Sequence, residues 1–118
     1  RMLMRSSAGG MPDRLRFESR AVTSHDGAGN VRGDWTPEFI RSAEVRPQRG
    51  SEVVISARLQ GTVPVTIIVR SDSNTRRIAA DWRAVDIRSG VVYALKAVYD
   101  AERERAWITM DAVLGEAP

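Results

Sequence analysis

A mainly β protein, a small six-stranded antiparallel β-barrel or sandwich with one short helix or mobile loop, is the fold class the sequence predicts. Three observations carry that expectation. Apolar and polar residues alternate with period two in several stretches, clusters of Gly, Asn, Asp and Ser separate them at short intervals, and only residues 51–60 also fit a helical period.

Residues 14–22 place Leu15, Phe17 and Ala21 between Arg14, Arg16, Glu18 and Arg20, the pattern of a half-buried strand. Residues 23–33 contain Asp26-Gly27-Ala28-Gly29-Asn30, residue types that tolerate positive φ and reverse the chain, so a long hairpin follows. Its returning arm is expected over residues 35–46, with Ala43 and Val45 on one face and Pro47 ending or bending it. Residues 51–60 alternate as a strand would, yet Ile55 and Leu59 pair at i, i+4, Glu52 suits a first helical turn and Gly61 a C-terminal cap. The reading leans to helix, with strand still open. Val63, Val65, Ile67 and Val69 mark a β-branched strand, and residues 71–75 a polar loop. Residues 82–88, 91–99 and 105–113 then read as a three-stranded meander, turning at Ser89-Gly90 and at residues 100–104. Tyr93, Leu95 and Ala97 face inward on the second of these strands, and Ala106, Ile108, Met110 and Ala112 on the third.

The 118 residues suit one domain: residues 1–11 read as a flexible leader or expression remnant, residues 12–113 as the β-domain and residues 114–118 as a tail. With 42% hydrophobic and 28% charged residues the composition is that of a globular protein, and no apolar run reaches membrane-spanning length. The pI of about 10.2 suggests a nucleic-acid binder, but the net charge is only +3. Lys96 is the one lysine, and the arginines, which barely titrate, hold the pI high.

A search for chemistry finds little. There is no Cys and one His, His25, which excludes a disulfide framework, a thiol nucleophile and a multi-histidine metal centre. Gly27 and Gly29 lie in an expected hairpin turn rather than between a strand and a helix, and Gly33 falls one place too late for a dinucleotide fingerprint. Ser24, His25 and Asp26 are sequence neighbours whose side chains do not converge as a triad must. Asp81, Asp86, Glu102 and Glu104 sit at strand ends and turns, where solvated charge is ordinary. Arg70, Arg76 and Arg77 bracket a loop as the best basic cluster, readable as solvated or as a contact for a partner or DNA. Trp35, Trp82 and Trp107 read first as core or interface anchors. A non-enzymatic protein without cofactor or metal is the expectation.

Taken in order, these stretches resemble the phage head-tail joining family, the head-closure, stopper or head-tail adaptor proteins of tailed phages, prophages and gene transfer agents. The resemblance runs through Asp13-Arg14-Leu15-Arg16-Phe17, the turn at residues 26–30, Trp35, and Ala43-Glu44-Val45-Arg46-Pro47-Gln48-Arg49-Gly50-Ser51-Glu52. It continues in Val65-Thr66-Ile67-Ile68-Val69-Arg70 and in Gly90-Val91-Val92-Tyr93-Ala94-Leu95, then through Arg103 to Trp107-Ile108. Ala79-Ala80 and Trp82 depart from the family's usual run. What the resemblance implies is a structural role: a self-associated ring, usually dodecameric, stacked between the portal or adaptor ring and the tail proteins, enclosing and closing the DNA channel after packaging. The segment after Pro47 would then face the channel, with Arg49 and Arg58 near DNA phosphates, Gly50 as a hinge, and Val53, Ile55 and Leu59 packed in the ring or gate. An ordinary helix covering a barrel end is the competing reading of the same residues. The implied location is a virion or phage-like particle at the head–tail interface, reached from the host cytoplasm, with non-specific DNA as a partner and no membrane. The alternative is an OB-like nucleic-acid-binding barrel, suggested by the arginines and the tryptophans.

Overall fold

Alternation settles most of the elements. The computed structural model describes residues 11–25, 30–48, 55, 59, 61–99 and 106–115. Its strands are β1 (Asp13–His25), β2 (Asn30–Pro47), β3 (Val63–Arg70), β4 (Arg83–Asp86), β5 (Val92–Tyr99) and β6 (Trp107–Leu114), with one 3-10 turn at Thr75–Arg77. They form a closed barrel in the order β1-β2-β3-β6-β5-β4, every neighbouring pair antiparallel. Closure comes from β1 pairing with β4 over Leu15–Glu18 and Asp86–Arg83.

The inward residues are those the alternation selects. Leu15, Phe17, Ala43, Ile67, Val69, Ala84 and Met110 are fully buried, joined by Val65, Tyr93, Leu95, Ile108 and Ala112 in one cluster. The β5 face is corrected in one place. The β5–β6 register shifts between Leu95 and Ala97, so Ala97 stands opposite half-buried Asp111 while Val98 meets buried Met110 and packs on the core. One extra residue in a strand exchanges its faces, so Ala97 is not inward.

Element boundaries also move. The expected loop over residues 23–33 is largely strand, because β1 reaches His25 and β2 starts at Asn30; residues 26–29 lie outside the described residues. β4 is shorter than residues 82–88. Asp86 Oδ1 accepts the backbone N–H groups of Arg88 (2.8 Å) and Ser89 (3.3 Å), and Gly90, at φ 80°, completes the turn by donating its N–H to the Asp86 carbonyl at 2.7 Å. In the polar loop, Asp72 Oδ1 accepts from the N–H groups of Asn74 and Thr75, both at 2.8 Å, and Thr75 is buried as its hydroxyl donates to the Arg70 carbonyl at 2.9 Å. The loop is therefore a hydrogen-bonded turn with a buried centre. Within residues 51–60 only Ile55 and Leu59 are described, and both have helical backbone, in line with the helical lean.

Because all pairs are antiparallel, the barrel has two distinct ends. At one, β1 beyond Glu18 and β2 before Pro37 pair only with each other among the described strands and project as a long hairpin, beside the 71–82 connection and the starts of β4 and β6. The other end carries the 48–62 connection, the Ser89–Gly90 turn and the end of β6. The 48–62 connection is fixed at both roots. Gln48 donates its N–H to the Pro64 carbonyl at 3.1 Å and its Nε2 to the Val65 carbonyl at 3.2 Å. Gly61, at φ 85°, lies so near Gly115 that a Cβ on Gly115 would meet the Gly61 carbonyl oxygen at 2.8 Å.

Packing position sets two opposite expectations. Ile67→Ala, in the fully buried centre, should lower the free energy of unfolding by about 3 kcal/mol. Leu59→Ser, at a side chain 84% exposed, should change it by less than about 0.5 kcal/mol. Urea unfolding of the two variants measures both.

Candidate functional site

The residues singled out in the sequence fall at opposite ends of the barrel. Ile55 and Leu59 belong to the 48–62 connection, one helical turn apart and 56% and 84% exposed, so in the free chain neither serves as core. Arg49, Gly50, Val53 and Arg58 of the same segment lie outside the described residues. Arg70, Arg76 and Arg77 are exposed at the hairpin end. Arg70 covers the Trp107 ring with its guanidinium carbon 5.0 Å from the centroid, Arg76 donates Nε to Ser71 Oγ at 3.1 Å, and Arg77 pairs with Glu38. Ile55 and Leu59 thus lie on the connection at one end of the barrel and the three arginines at the other.

A third cluster, at the root of the hairpin, was not singled out by the sequence. Glu18 is only 3% exposed. Its carboxylate accepts from Arg16 Nε two residues away and, at 2.6 Å, from Nε of Arg83, the residue opposite it on β4. Burial pushes the Glu18 carboxyl upward, but hydrogen bonds from Arg16 and Arg83, with their charges, outweigh burial and leave it titrating below the ordinary carboxylate range. The Arg83 guanidinium also lies over Trp35 at 4.6 Å, and Arg20, opposite Trp35 on β1, stacks on the same ring at 4.3 Å. On β2, Glu38 accepts from Ser19 Oγ at 2.6 Å and from Arg77 Nη2; these bonds lower its titration. Arg41 donates Nε to Asp72 at 2.9 Å. Burial raises the Asp72 carboxyl, and the bonds from Arg41, Thr75 and Asn74 lower it by more. Alternation predicts Glu18 on the outer face, and nothing in a single strand shows that Arg83 meets it there.

An open cleft of about 230 Å³ lies between Pro12, Asp13, Arg14, Asp86, Ile87 and Arg88, at the end opposite the hairpin. Among the described residues no three His, Asp or Glu side chains converge on a metal position, and no helix is long and apolar enough to cross a membrane. Trp107 is buried and Trp82 packs against the core, as anchors should, whereas Trp35 is half-buried between its two arginines.

A closed antiparallel barrel with a long hairpin at one end defines a small β-barrel scaffold. The chain belongs to the phage head completion protein family, which its residues 6–115 match. Its role is therefore structural, in the head–tail part of a virion or phage-like particle, in contact with other particle proteins. Among solved structures, a chain of the virion of a native gene transfer agent particle is similar, with a TM-score of 0.65 at 24% identity over 89% of this chain and 94% of that one. The solution structure of a protein from Shigella flexneri 2a is similar with a TM-score of 0.60 at 21% identity, over 92% of this chain and 96% of that one. Both likenesses are of fold. No curated protein matches the chain.

The clamp on Glu18 has a measurable pH signature. A carboxyl held below its unfolded value stabilises the fold above that value, and the stabilisation is lost as pH falls through the folded value. Glu18→Gln should therefore flatten the loss of stability as the pH falls through and below the ordinary carboxylate range. Glu18→Ala, leaving two guanidinium groups without their acceptor, should cost about 2 kcal/mol at neutral pH. Thermal unfolding across a pH series reads both.

Proposed function

We propose that the chain is one subunit of a ring that joins the head, at its portal or adaptor, to the tail and closes the DNA channel once packaging ends. The observation that carries this reading is bipolarity: one closed barrel sends a long hairpin from one end and the 48–62 connection from the other. A joining subunit needs two separate contact regions held at a fixed spacing, and a closed barrel provides that rigid spacing. Ile55 and Leu59, helical and exposed in the free chain, are suited to becoming buried between subunits when the gate forms. Val53 would pack with them, Gly50 would let the segment change state, and Arg49 and Arg58 would face DNA phosphates. Arg70, Arg76 and Arg77, at the hairpin end, would meet the neighbouring ring or DNA. The protein performs no catalysis in this reading, and it waits in the host cytoplasm until it joins the particle.

The OB-like alternative needs aromatic faces open for base stacking. Here Trp35 lies between Arg20 and Arg83, Arg77 is 5.9 Å from the Trp82 centroid, and Arg70 lies over Trp107. Those faces are occupied by guanidinium groups, which favours the joining role.

Two measurements test the reading. Cells lacking the chain should accumulate DNA-filled heads without tails that lose their DNA, seen by electron microscopy; tailed particles that keep their DNA would overturn it. Fluorescence anisotropy on the free subunit should show weak, sequence-independent DNA binding that falls steeply with salt, since a net charge of +3 neutralises few phosphates. Nanomolar binding to single strands near physiological salt would instead favour the OB-like module.

A further inference from the structure

We infer that the 71–82 connection, with Arg83 at its end, is a collar that locks the direction in which the β1–β2 hairpin points. Beyond Glu18 and before Pro37 the two strands have only each other among the described strands, and a lone two-stranded ribbon is marginal and free to swing at its root. Three charge pairs between the hairpin's root and the collar oppose that swing. On the β1 side Glu18 is held by Arg83; on the β2 side Glu38 is held by Arg77, and Arg41 by Asp72.

Their signs make the lock specific. Along β2 the order is acid at Glu38 then base at Arg41, and the collar answers with base at Arg77 and acid at Asp72. Exchanging the partners would set Arg41 against Arg77 and Glu38 against Asp72, like against like. Between the pairs Phe39 forms an apolar pivot, its ring 5.4 Å from Phe17 of the core and 6.1 Å from Trp82 of the collar, with Arg41 at 5.1 Å and Arg77 at 6.0 Å over it. Glu18, nearly out of water, cannot exchange its arginines for hydration without opening the root. Three register shifts, between Phe17 and Glu18, Arg20 and Val22, and Val22 and Ser24, twist the ribbon away from flat edge pairing, so it stays a separate arm. An arm already aimed loses less orientational freedom when its tip meets a partner. The lock is a property of the single chain and holds whether or not a ring forms.

The absence of cysteine makes the test direct. Spin labels on cysteines introduced at His25, the last residue of β1, and at Ser89, in the turn at the opposite end of the barrel, report the hairpin-to-barrel distance by pulsed electron resonance. A single narrow distribution is expected in the otherwise unchanged chain. Arg77→Glu and Glu38→Arg should each broaden it about twofold, and the reciprocal double variant should restore it. Asp72→Asn, a milder change at a half-exposed side chain, should broaden it less and guards against loss of fold in the charge reversals. A broad distribution in the starting chain, no change in the single variants, or a double variant as broad as its parents would each overturn the lock.

Discussion

The pairing of Leu15–Glu18 with Asp86–Arg83 closes the sheet, and the rest of the architecture depends on it. A strand in a closed barrel has a neighbour on both sides, and β1 has two only over this short span. Past Glu18 its partner β4 has not yet begun, so β1 must leave the barrel with β2 as a ribbon. Closure also brings Arg83 opposite Glu18, which turns an outward acid into a buried, doubly held one. The same four-residue pairing thus makes the core continuous, creates the hairpin and places the clamp at its base.

The sequence revealed what period two can reveal. Val65, Ile67 and Val69, and Ile108, Met110 and Ala112, are buried where alternation puts them, and the six expected strands close as a barrel. Ala97 was misplaced because the irregularity at Lys96 changes which face the following residues take, and no residue type around it announces a bulge. The hairpin loop was expected too long, since Ser24 and Asn30 are turn formers locally but are held in strands by cross-strand pairing, while Thr23 and Gly33 fall at register shifts within those strands. Glu18 was passed over for a related reason. Its carboxylate is met by Arg83, distant in sequence on β4, so the signal is one of topology rather than of local pattern. The contact residues at the 48–62 end rested on a resemblance and on mixed periodicity, and local sequence does not say what an exposed helical pair like Ile55 and Leu59 will meet.

Arginine content, which first suggested a nucleic-acid binder, has a different explanation in the fold. Arg16 and Arg83 hold Glu18, Arg77 holds Glu38, Arg41 holds Asp72, Arg46 pairs with Glu44, and Arg20, Arg70 and Arg83 lie over indole rings. These tasks suit a planar guanidinium that stacks and donates in two directions at once, and a lysine ammonium performs them poorly. Arg83 shows the point, since it donates to Glu18 while covering Trp35. Much of the basic charge is thus engaged in holding the barrel, the collar and the hairpin together. Contact with DNA, in the proposed joining role, would then draw on few charges per subunit and gain strength from repetition around a ring rather than from any single chain.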